Sequence, residues 1–168
     1  MLVEHAKLMK VFADVGEVVG RKKLQKMIFI AKKMGYPFHE KYNFHFFGPY
    51  SEELTLKIEE LCNLGFLDEV KEKKGGYMQY RYTLTGDGEQ FLAHYEVDNP
   101  SLHTCMADMN GQSSRFLELV STVLYFGDLE KDQVKEKIFM LKSKQNYSEE
   151  EIDEAYRYIE GLKTSKVH

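Results

Sequence analysis

A chain of 168 residues with 27 Asp and Glu against 23 Lys and Arg, a net charge of −4 and 43% hydrophobic content has the make-up of a soluble globular protein that can bury a core without staples. The acidic balance argues against a dedicated nucleic-acid binder, which carries a basic excess, and no apolar run approaches the ~18 residues of a membrane span. Two cysteines, Cys62 and Cys105, exclude a disulfide framework and make a reducing cytoplasm the expected location.

The N-terminus lacks the basic-then-apolar pattern of a secretory leader. Residues 2–15 read as a helix, with Leu2, Ala6, Met9 and Ala13 on one face, widened by Leu8, Phe12 and Val15. Gly16 and Gly20 bracket a short break. Residues 21–34 read as a second helix, with Leu24, Met27, Ile28, Ala31 and Met34 on one face and Lys22, Lys26 and Lys33 on the other. Phe29 and Ile30 lie off the main face, which predicts a helix contacted from more than one side. Gly35 and Pro37 end it.

Residues 41–47 alternate with period two and predict a strand, closed by Gly48-Pro49. Ser51 is a good N-cap for a helix over 52–64, with Glu52 and Glu53 at its positive end. That helix packs through Leu54, Ile58, Leu61 and Cys62, and Gly65 stands where a left-handed cap residue belongs. A hairpin follows, with strands 66–73 and 77–84 around Gly75-Gly76. Thr85 caps a helix over about 86–95. The stretch from Asp98 to Ser114 is polar and broken and reads as a linker. Three amphipathic helices complete the chain, over 115–126, 129–142 and about 149–163, the last opened by a capping box of Ser148 and Glu151.

The order helix, hairpin, helix from Tyr50 to Leu92 matches the last helix and wing of a winged helix. The expected fold is therefore α+β, with a winged-helix-like domain over 1–96, a polar linker over 97–113, a helical part over 114–163 and a disordered tail over 164–168. The segments Lys23–Ala31 (KLQKMIFIA) and Asn43–Ser51 (NFHFFGPYS) resemble the YwgA family of uncharacterised bacterial proteins over most of the chain. More distantly, residues 20–65 are similar to the Panacea domain, whose members neutralise toxins by direct contact. That resemblance implies a protein-binding, non-catalytic role.

Two functional readings compete. The helix before the wing carries Glu52, Glu53, Glu59 and Glu60 against Lys57 alone, a charge of −3 that phosphates would repel. It favours a protein partner or self-association, through Phe47, Pro49, Tyr50, Glu52, Glu53, Lys57 and Glu60. The alternative is a DNA-binding regulator that uses Arg21, Lys22, Lys26 and Lys33 with the wing residues Lys71, Lys73 and Lys74. Both basic clusters also read as ordinary solvated surface.

No phosphate-binding glycine motif and no nucleophile elbow occurs in the sequence, so no enzymatic activity and no cofactor are expected. His94, His103 and Cys105, completed by Asp98 or Asp108, match no zinc spacing and read as unrelated loop residues. Cys105, in the expected linker, is the more reactive of the two thiols.

Overall fold

The computed structural model describes residues 2–95 and 99–167. The chain is α+β, with eight helices and two small antiparallel sheets among the described residues. In order these are α1 (Leu2–Val15), β1 (Glu17–Val19), α2 (Arg21–Lys33), β2 (Asn43–His45), β3 (Gly48–Tyr50), α3 (Glu52–Asn63), β4 (Leu67–Lys74), β5 (Tyr77–Leu84), α4 (Gly86–Leu92), α5 (Pro100–Asn110), α6 (Ser114–Tyr125), α7 (Lys131–Leu141) and α8 (Glu149–Val167).

Local chemistry sets most of these boundaries. Ser51 Oγ accepts from Leu54 N, and Thr85 Oγ1 accepts from Gly88 N, as their cap positions require. Ser148 and Glu151 exchange both bonds of the capping box at 3.0 Å. Gly65, at φ 79°, ends α3, and Phe66 N then donates to Leu61 O. The larger sheet has the order β1-β5-β4, with Leu67 opposite Leu84 and Lys74 opposite Tyr77 along the hairpin. The break expected at Glu17–Val19 is one of its two edge strands, with Val18 paired to Tyr82.

Helix α2 is the centre of the molecule. Every residue from Leu24 to Ala31 is buried, because α5, α6, β1 and β3 all pack against it. This is the helix contacted from several sides that Phe29 and Ile30 implied. One consequence runs against the sequence reading. Lys26 is buried instead of lying on a basic surface, and Gln25 is buried beside it.

The linker expected over 97–113 is a correction of a different kind. Residues 97 and 98 lie outside the described residues, but Pro100–Asn110 is a helix whose Leu102, Cys105, Met106 and Met109 are buried. Asn99-Pro100, which reads as a chain break, is a helix start: Asn99 Oδ1 accepts from Leu102 N, and Pro100 occupies the first turn where its missing N–H costs nothing. One hydrophobic cluster accordingly includes Phe12, Ile28, Met106, Leu117 and Ile159, which spans both of the expected domains. Helix α8 continues to Val167, through most of the expected tail. Cys105 is buried and its thiol is pushed up to about 12 by that burial, with Asp108 adding to it, so it is not a reactive thiol. His103 is exposed on the same helix, 3.0 Å from Asp14.

If α5 is a core element, Met106→Ala creates a cavity and costs about 2–5 kcal/mol. Urea denaturation measures this; a cost below about 0.5 kcal/mol, the range of a surface change, would place α5 outside the core.

Candidate binding site at the aromatic hairpin

The strand expected over 41–47 is shorter than its pattern, and Gly48-Pro49 does not merely close it. The chain turns at Phe46-Phe47 and returns, pairing His45 with Gly48 and Asn43 with Tyr50. Two-residue loops ordinarily place positive φ on the loop residues, which disfavours phenylalanine there. Here the positive φ, 95°, falls on Gly48. A Cβ at Gly48 would stand 3.4 Å from Lys26 Cε and 3.6 Å from Glu118 Cγ, so the backbone packs directly on buried side chains.

The inner face of the hairpin rests on α2 and α6. Phe44 packs against Tyr125 and Phe126, with ring centroids 5.2 and 5.3 Å away, and Tyr42 meets Phe29 edge-on at 5.0 Å. Gln25 clamps the exit of the hairpin. Its Nε2 donates to Ser51 O and Thr55 Oγ1, and its Oε1 accepts from Ser51 N.

Two buried ammoniums fix the tip. Lys26 Nζ donates to Pro49 O at 3.0 Å, and Lys142 Nζ, from the end of α7, donates to Phe46 O at 2.7 Å. Both lysines are 2% exposed. The shared counter-charge is Glu118 on α6, 9% exposed and 3.8 Å from Lys142 Nζ. Glu118 also accepts from Tyr147 Oη and Gln145 Nε2. Burial pulls the Lys26 ammonium down to about 8; Glu118 opposes that, and Lys142 and Lys22 add to it. Burial lowers Lys142 as well, again against Glu118.

Held this way, the tip presents Phe46 and Phe47 to solvent, 70% and 43% exposed and edge-on at 5.0 Å. Lys22 Nζ sits 3.2 Å from the centroid of the Phe47 ring. Beside the tip is a groove of about 460 Å3, with Leu24, Leu54 and Ile58 among its apolar residues and Arg21, Lys22 and Glu59 among its charged ones. His45 and Tyr50 stack 4.8 Å apart along it.

The residues singled out in the sequence divide unevenly. Phe47 and Tyr50 line the groove together with Arg21, Lys22 and Lys26, so members of the protein-binding and nucleic-acid sets meet in one place. Pro49 is buried and offers no contact surface, since β3 packs on α2 and α6. Glu52, Glu53, Glu59 and Glu60 are exposed on α3. Glu53 also accepts from Lys41 N, Glu60 pairs with His5, and Lys57 is committed to the buried Glu40 at 2.6 Å.

Of the basic residues, Arg21 is tied to Tyr82 and Glu69, and Lys74 lies 3.5 Å from Glu72. Lys22, Lys33, Lys71 and Lys73 are exposed. Sequence reasoning missed Phe46, Glu118 and Lys142. The alternation sent Phe46 inward because it continued past the turn, and nothing local marks Lys142 as buried.

Lys26 generates a pH prediction. Its folded value near 8 lies below the ordinary 10.5, so the unfolded chain binds more protons between those limits. The stability lost to the buried charge is lost in full below about pH 8 and is recovered as pH rises toward 10.5, by about 3 kcal/mol at most. Thermal unfolding of wild type against Lys26→Met should therefore show a steeper rise between pH 8 and 10 in the wild type, since the lowered Lys142 contributes to both proteins. Parallel profiles would mean that Lys26 titrates normally.

No family model matches the chain. A curated protein of Bacillus subtilis (strain 168), "Uncharacterized protein YwgA", is 68% identical over 163 residues, covering 97% of this chain and 98% of the relative. Identity at that level over nearly the whole of both proteins, including the helix α2 and hairpin segments whose resemblance was noted above, settles the family. The chain belongs to the YwgA family.

Proposed function

We propose that this protein is a non-enzymatic regulator or adaptor that binds a partner protein through the Phe46–Phe47 tip and the adjoining groove. The observation that carries this reading is the tip itself. Two large aromatic side chains are exposed, and their backbone is anchored on both sides by buried lysines. Exposed aromatics are strong binding anchors, and a tip that is already ordered loses little further entropy on binding. The fold we read around it is a winged helix. The succession α1, β1, α2, α3, β4, β5 with sheet order β1-β5-β4 supports that reading, and β2–β3 is then a hairpin inserted between the second and third helices.

The Panacea-like resemblance, over residues 20–65, falls on α2, the hairpin and α3, and so takes in the tip and much of the groove. It supports a role akin to toxin neutralisation, by contact and not by catalysis. No described helix is long and apolar enough to cross a membrane. The DNA-binding alternative is less favoured. Lys26 is too deeply buried to meet a duplex backbone, Arg21 and Lys74 have acidic neighbours, and the exposed face of α3 carries four glutamates.

Affinity capture from the native host, with wild type and Phe46→Ala/Phe47→Ala side by side, tests the proposal. Wild type should recover a stoichiometric protein. The variant should bind the identified partner about 30- to 1000-fold more weakly, a loss of about 2–4 kcal/mol, with unchanged Tm. Equal binding by the variant refutes the proposed surface. Recovery of no partner, together with a salt-sensitive shift of DNA, would transfer the function to the alternative.

A further inference from the structure

Phe47 is a wall of two cavities. Beyond the groove already described it borders a second one of about 280 Å3, whose lining includes Lys22, Lys26, Arg115, Glu118 and Ser114. Phe47 and Tyr147 form an apolar part of its wall, and the remaining lining residues are polar or charged. Its distinguishing property is charge. The cations in and directly behind its wall are Lys22, Lys26, Arg115 and Lys142, and the carboxylates that face them are Glu118 and Glu151. Four positive groups against two negative ones leave a surplus of +2, and two of the four are almost wholly withdrawn from water.

The hydrogen bonds show which of these groups have capacity left. Arg115 is spent: it forks onto Glu151 at 3.1 Å and donates to Gln145 O at 2.7 Å. Glu118 Oε2 accepts from Tyr147 and Gln145 and faces Lys142. Lys26 differs. Its ammonium has three donors, and among the described residues one acceptor is provided, Pro49 O. Lys22 directs its charge at the ring face of Phe47, which accepts no hydrogen bond of ordinary strength. Two ammoniums with unused donors thus border a cavity that also touches Ser114, in the positively polarised first turn of α6. The volume is several times the roughly 30 Å3 of a single water and suits a compact polyatomic group.

We propose that this cavity is a binding site for an oxyanion, a phosphoryl or carboxylate group, held by Lys26 from within and Lys22 from the rim. Arg115 and Lys142 contribute field and are not direct ligands. Binding draws Lys22 from the Phe47 ring onto the anion, so the tip exchanges a cation–π contact for an ion pair beside it. The inference is independent of the partner-binding reading, because it is tested on the purified chain alone.

Thermal unfolding and titration calorimetry of the full chain decide it, with sodium phosphate, sodium acetate and sodium chloride matched in ionic strength. Phosphate at about 100 times its Kd should raise Tm by roughly 5–10 °C above the chloride control. A response to phosphate assigns a phosphoryl ligand. A response to acetate alone assigns the carboxylate of a larger ligand. Identical Tm values in all three salts overturn the site. Lys22→Met, at an exposed position, should fold normally and raise the anion Kd at least about tenfold, the loss of one charge-assisted contact. Lys26→Met should abolish the response, and Phe46→Ala, which removes a proposed partner contact outside this cavity, should leave it intact. An undiminished response in Lys22→Met places the anion elsewhere and refutes the proposal, whether or not Lys26→Met folds.

Discussion

Two ammonium groups hydrogen-bonded to the backbone of one turn are the constraint on which the exposed surface depends. Lys26 Nζ on Pro49 O and Lys142 Nζ on Phe46 O tie β2–β3 to α2 and to the end of α7 at once. Without them the carbonyls of Phe46 and Pro49 would lose their buried donors, and the turn would be set by Gly48 and the packing of Phe44 alone. With them the backbone is held from inside, and the Phe46 and Phe47 rings are carried at the surface.

Burying charge is costly, and a pair of lysines sharing one carboxylate is a poor choice for stability alone. Hydrophobic residues at Lys26 and Lys142 could fill the same volume, but they could not hold two carbonyl groups in place. The arrangement trades stability for a defined backbone position, which is the pattern of a site and not of a core. Gly48 fits the same logic, since its missing Cβ lets the strand lie against Lys26 and Glu118.

Much of the framework was legible in the residues because it rests on local chemistry. The caps at Ser51, Thr85 and Ser148, the stop at Gly65 and the hairpin at Gly75 each follow from a side chain and its near neighbours. Two of the failures were of one kind. Polarity was read as exposure at Lys26 and across Asn99–Asn110, where long-range packing wins: α6 and the hairpin cover one, and α1, α2 and α8 cover the other. At the site, Phe47 and Tyr50 stood out because a glycine-proline pair interrupts the alternation between them. Glu118 and Lys142 did not, since they lie about 70 and 95 residues from the tip and carry no mark of their partners.

The central claim is that buried lysines hold a pre-ordered aromatic tip, and backbone 15N relaxation at Phe46, Phe47 and Gly48 tests it most directly. In the wild type these amides should have order parameters near 0.85, like the helices around them. In Lys142→Met, with the fold intact, those at Phe46 and Phe47 should fall below about 0.6. A tip that is already mobile in the wild type, or one whose order survives the loss of Lys142, would contradict the account.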